Sequence, residues 1–223
     1  MIGTIVLATN GTASDLPVQH VANAMGNCVG SPQITVAIAA LDAARIGHFA
    51  DPVVVCAPED ANVALMAVDS PVMVAGPACA SPIVAIEQLV VGVDEHAPFS
   101  DVVRVAAEMA AGCGLRCWLV GVVPGVGLQE AEWLESVASE LNRAGVEVGW
   151  DIVTHDDPAR ALVEFARTMP ASVVVCGAPP AGQLGAVGEQ LVREAPGPVL
   201  VVRASAAQTA QAERDREVAH RVD

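Results

Sequence analysis

Residues 173–203 read VVVCGAPPAGQLGAVGEQLVREAPGPVLVVR. The apolar runs at either end of this stretch contain no polar alternation. A strand of that kind has to be buried on both faces, which happens in a sheet covered by helices on each side. Between the runs lie a Gly/Pro-rich loop and a short helical segment. Loops in this position, between the carboxyl end of a parallel strand and a helix N-terminus, are where α/β proteins cradle phosphates. This loop nevertheless contains Pro179 and Pro180, no basic residue and, from Gly177 to Gln190, no Ser or Thr.

The same alternation runs through the preceding hundred residues. An apolar run at 89–93 ends in Asp94 and predicts a buried strand. Residues 98–111 carry Val102, Val103, Ala106, Met109 and Ala110 at helical spacing, and Gly112 and Gly114 end the segment. A second strand is predicted over 117–123. An amphipathic helix follows over 129–144, with Trp133, Leu134, Val137 and Leu141 on one face. Residues 146–153 alternate in part, the mark of a strand at a sheet edge. Asp156 or Asp157 then caps a helix that has Pro158 in its first turn. With strands at 172–176 and 198–202, the order is βαβαβαβαβ, an α/β, Rossmann-like, doubly wound and mostly parallel sheet.

The first eighty residues follow this plan in shortened form. Strands are predicted at 4–8, 34–39, 52–56 and 71–75, with helices at 16–26 and 41–48. The run PVMVA at 71–75 matches PVLVV at 198–202. One strand and one helix of the longer plan are missing. The chain therefore divides into a shortened unit at 1–80, a linker at 81–87, a full unit at 88–204 and a polar tail at 205–223.

Composition excludes several partners. The chain of 223 residues has a formal charge of −15, and its 11 basic residues are all arginine. Such a surface repels phosphate backbones and anionic lipid, so neither nucleic acid nor a membrane is an expected partner. The amino terminus lacks a basic segment before its short apolar run, and no apolar stretch reaches membrane-spanning length. A soluble, cytoplasmic protein is expected. The six cysteines form no CxxC or Cys/His cluster, which argues against zinc. Cys113 and Cys117 are the closest pair in sequence. The histidines are isolated, and no nucleophile–histidine–acid set or HExxH pattern occurs. His96 and His155 fall near the strand end that carries Asp94.

Three segments resemble the universal stress protein family: VVGVDEHAPFSDVVRVAAEMA with the preceding Val90, the turn Asp156-Asp157-Pro158-Ala159, and SVVVCGAPP…GEQLVREAPGPVLVVR. The resemblance covers about 88–203 well and 2–76 weakly. It implies a fold like that of adenine-nucleotide hydrolases. It also implies that the last strand of one unit pairs antiparallel with the last strand of another. In this chain 71–75 and 198–202 would form that pair as an intrachain pseudo-dimer, and further association into a homodimer stays open. Pairing would cover an apolar edge that otherwise invites aggregation.

ATP-binding members of the family have a loop of the form G-x2-G-x9-G-[S/T]. By resemblance, Gly177 takes the first glycine, Gly185 the last, and Ala186 the hydroxyl position. Gly177 and Gly185 lie eight positions apart, five fewer than in that pattern, and Pro180 stands at the second glycine. The prolines also lack N–H donors. Other candidate contacts survive: Val93 and Asp94 at the end of one strand, Val122 at the end of the next, and Gly182 within the loop. The first unit has Cys56-Ala57-Pro58-Glu59-Asp60 in place of a loop, without glycine and with repelling acids.

The leading expectation is a non-enzymatic binding or signalling module of the stress response, with ATP binding impaired or lost and no cofactor. The alternative is an adenine-nucleotide binder, for ATP or AMP, with slow or no hydrolysis. A third is a redox-sensing assembly using Cys113, Cys117 or Cys176. No protein partner is named by the sequence.

Overall fold

In the computed structural model the apolar runs become one sheet. The structure describes residues 4–9, 15–29, 33–37, 52–80, 82–83, 85–94, 100–124 and 131–205. The strands are β1 (Thr4–Thr9), β2 (Gln33–Ala37), β3 (Pro52–Cys56), β4 (Val72–Val74), β5 (Gln88–Val93), β6 (Arg116–Val123), β7 (Val148–Thr154), β8 (Ser172–Ala178) and β9 (Val199–Arg203). The helices are α1 (Asp15–Val29), α2 (Ala61–Ala67), α3 (Asp101–Cys113), α4 (Glu132–Arg143), α5 (Pro158–Thr168) and α6 (Ala186–Glu194). Single 3₁₀ turns occupy Pro58–Asp60 and Pro77–Ala80.

The nine strands lie in the order β2-β1-β3-β4-β9-β8-β5-β6-β7. Neighbours are parallel except at the centre, where β4 and β9 run antiparallel with Val72 opposite Val201, Met73 opposite Leu200 and Val74 opposite Val199. This is the pairing expected for 71–75 and 198–202. The order β2-β1-β3-β4 repeats β6-β5-β8-β9, and β7 has no counterpart among the described residues. β7 lies at the sheet edge, as its partial alternation predicts.

Successive side chains of a strand point to opposite faces, so a continuous apolar run feeds two cores. Ile5, Leu7, Val55, Met73, Val91, Val175 and Leu200 face a layer that includes α1, α3 and α4. Val6, Val54, Val74, Val90, Val174 and Val201 face a layer that includes α2, α5 and α6. Both faces are covered, which explains why strands β3, β8 and β9 tolerate no polar residue in their centres.

The local signals act as expected at two helix ends. Asp157 caps α5 by accepting the Arg160 backbone N–H at 3.1 Å, with Pro158 in the first turn. Gly114 ends α3 in the left-handed conformation, φ 66°. Helix α3 begins at Asp101; the earlier start at 98 lies outside the described residues, as does the helix expected at 41–48. Among the described α-helices, α2 is the one the sequence did not announce. Its seven residues, ANVALMA, are too few to display a helical period. It forms because Ala61, Ala64 and Leu65 find a buried place against the second core.

Candidate functional site

The sheet order brings the carboxyl ends of β8, β5 and β6 side by side. From β5 the chain winds outward to β6 and β7, then returns to β8 on the other flank. A crevice opens at such a switch in winding direction. Val93 ends β5 and is buried, and Asp94 follows it exposed to solvent. Val122, near the end of β6, is half-buried and packs on the second core. Gly177, near the end of β8, is exposed, and a Cβ there would stand 3.2 Å from Val102 of α3. These four expected site residues therefore share adjacent strand ends.

The loop after β8 turns elsewhere. Gly182 is buried at φ 74°, and a Cβ on it would meet the Leu65 carbonyl oxygen at 2.9 Å and the Arg203 guanidinium at 3.2 Å. The loop thus lies on the end of α2, across the seam. Two of its backbone donors are taken up within the protein. Gly182 donates its N–H to the Pro179 carbonyl at 3.0 Å, and Leu184 donates to Asn62 Oδ1 at 2.8 Å. Pro179 and Pro180 have no donor to give. Gly185 is the N-cap residue of α6 and supplies no side-chain cap, and nothing lies within 4 Å of the Cβ it lacks. Ala186 opens α6 as an exposed residue without a hydroxyl.

Sequence reasoning missed two residues here. It found no cation near the loop, but Arg203 at the end of β9 reaches it. That guanidinium is engaged by the Val68 carbonyl and the Asp69 carboxylate, both from the other side of the seam. Asn62 was also missed, since its partner Leu184 is 122 positions away. Substituting Asn62 with alanine is expected to lower the unfolding free energy by about 0.5–1.5 kcal/mol, measured by urea denaturation.

His155 shapes a turn. Its N–H donates to the Val123 carbonyl at 2.9 Å, and its Nδ1 accepts the Asp157 N–H at 2.8 Å. Asp157 also accepts from Gln190 Nε2 at 3.3 Å, which ties α5 to α6. The Arg160 backbone N–H, foremost, holds the Asp157 carboxyl below the usual range. His96 lies outside the described residues. Among the described residues no group of three or more His, Cys, Asp or Glu side chains is placed to hold a metal ion. Among the described residues no helix is long and apolar enough to cross a membrane.

Among the described residues, cavities lie at other places. One of about 310 Å³ lies between α3 and the starts of β3 and β4, lined by Pro52, Asp69, Arg104 and Met109 among others. One of about 390 Å³ lies under the starts of β5, β8 and β9, beside Pro170, Pro196 and Gly197. Neither is lined by Val93, Asp94, Val122 or Gly177.

Comparison with known proteins bears on this architecture. A universal stress protein from Archaeoglobus fulgidus DSM 4304 superposes with a TM-score of 0.65 at 11% identity, covering 92% of this chain and 97% of that one. A putative universal stress protein from Pseudomonas aeruginosa UCBPP-PA14 gives 0.55 at 13% identity, covering 96% and 86%. At these identities the likeness is one of fold. A further Archaeoglobus fulgidus universal stress protein, solved in complex with dAMP, aligns over 53% of this chain and 98% of its own, at 22% identity and a TM-score of 0.39. No curated protein matches the sequence. The model of the universal stress protein family matches residues 85–203, from the approach to β5 through the end of β9. With that match spanning more than half of its length, the chain belongs to the universal stress protein family.

Proposed function

We propose that this protein is a non-catalytic binding and signalling module whose second unit has lost most of its ability to hold ATP. The observation that carries the reading is the fate of the loop 179–185. Two of its positions are proline, the Gly182 N–H is turned onto Pro179, and the Leu184 N–H is taken by Asn62. A hydrogen bond to a charged phosphate contributes about 1.5–3 kcal/mol, so the loss of two or three weakens binding by orders of magnitude. The Arg203 guanidinium does not replace them, because Asp69 already balances its charge. The first unit contributes no second cradle: Pro58–Asp60 follows β3 directly and places Glu59 and Asp60 there.

Calorimetric titration of the full chain with ATP and AMP tests this. Dissociation constants in the millimolar range or no detectable heat are expected for ATP. Low-micromolar ATP binding would overturn the reading.

A second reading has its own support. Open space beside Gly185, together with Val93, Asp94 and Val122 at the neighbouring strand ends, suits a smaller adenine nucleotide such as AMP, with Gly177 and Ala186 toward its phosphate. Adenine nucleotide released by denaturing the purified protein would favour it.

A further inference from the structure

The thiols of this chain fall into two groups. Cys56, Cys79, Cys117 and Cys176 are buried at 4% exposure or less. Cys28 and Cys113 are half-buried, and solvent reaches them. Those two meet. Cys28 lies in the last turn of α1, Cys113 is the last residue of α3, and the Cys28 Sγ donates to the Cys113 carbonyl at 3.8 Å. They are 85 positions apart and come from the two sides of the β4–β9 seam. The pair closest in sequence, Cys113 and Cys117, is not the pair in play: Cys117 points into the core beneath α3.

We propose that Cys28 and Cys113 are a modification site: a dithiol that a peroxide converts to a reversible disulfide, fastening the end of α1 to the end of α3. Burial first, and then the adjacent Cys28, push the Cys113 thiol up to about 12. Cys113 therefore waits as a protonated thiol and takes the resolving role, with Cys28 as the thiol that meets the peroxide. The Cys28 thiolate attacks one oxygen of hydrogen peroxide, giving a sulfenic acid and hydroxide, which takes up the proton that Cys28 released. The Cys113 sulfur then attacks the Cys28 sulfur, an S–S bond forms, and the thiol proton leaves with the sulfenic hydroxyl as water. Two thiols are oxidised by two electrons and one peroxide is reduced to two waters. The four core thiols are spared for lack of access; burial holds Cys117 and Cys176 near 12 as well.

The test uses the intact chain, treated with hydrogen peroxide under native conditions, alkylated and digested without reduction. Two of the six thiols should disappear, a peptide joining Cys28 to Cys113 should be found, and dithiothreitol should restore all six. Closing so long a loop should raise the thermal midpoint by roughly 5–15 °C. Cys28→Ala and Cys113→Ala should each abolish the cross-link and the shift. If either fails to fold, the wild-type peptide map decides alone. Six unreacted thiols, a cross-link between two chains, or Cys28 over-oxidised without a cross-link would each overturn the proposal.

Discussion

Leu200→Ala is expected to lower the unfolding free energy by about 2–5 kcal/mol, the range for removing a buried leucine that leaves a cavity behind. Leu200 is 1% exposed and is the second residue of β9. It pairs with Met73 of β4 on one side and Val175 of β8 on the other. Its loss therefore opens a cavity at the strand junction that both sides of the molecule share. Few neighbours can collapse into it, because the backbones of three strands fix their positions. For a chain of this length each kcal/mol moves the thermal midpoint by about 2–4 °C, so a drop of roughly 5–20 °C should be seen by calorimetry. Because β4 and β9 are central strands of one sheet, the variant should still melt in a single transition. A cost below about 1 kcal/mol, or two separate transitions with only one displaced, would show that the seam does not couple the halves.

Gly182→Val is expected to cost about 2–4 kcal/mol. The left-handed backbone at φ 74° disfavours any side chain by roughly 1–2 kcal/mol, and a β-branched one more. The new Cβ would also press on the Leu65 carbonyl oxygen at 2.9 Å, an atom of the backbone that cannot turn aside. The loop would lift from α2, and the bond from Leu184 to Asn62 would stretch or break. Gly185→Ala is the control three residues on. Its backbone is extended, nothing lies within 4 Å, and its effect should stay below about 1 kcal/mol. Chemical denaturation of the two variants side by side separates loop docking from a general intolerance of side chains in this segment.

The parts of the molecule that could be read from the sequence are those whose causes are local. An unbroken apolar run needs two covered faces, so β3, β8 and β9 were identifiable as buried strands. An Asp-Pro pair announces a helix start, and Asp157 does cap α5. Partial alternation put β7 at an edge. The antiparallel contact of 71–75 with 198–202 was legible through the family resemblance and the danger of a bare apolar edge. Helix α2 was not, since a helix of seven residues depends on the surface it lands on. The features that decide what the loop does were equally hidden. Asn62 meets Leu184, Arg203 meets Asp69, and Cys28 meets Cys113 only because the chain folds its two sides together. Of the site, the strand-end positions Val93, Asp94, Val122 and Gly177 follow from topology. The orientation of the loop between Gly177 and Gly185 follows from contacts more than a hundred residues distant.

The antiparallel contact of β4 with β9 has one more consequence. A join of this kind made between separate molecules obeys mass action: it weakens on dilution, and its melting point depends on concentration. Here both strands belong to one polypeptide, so each holds the other at a fixed effective concentration however dilute the protein becomes. The two sides of the sheet cannot trade partners as subunits do. Each can therefore change on its own without ever having to pair with a copy of itself.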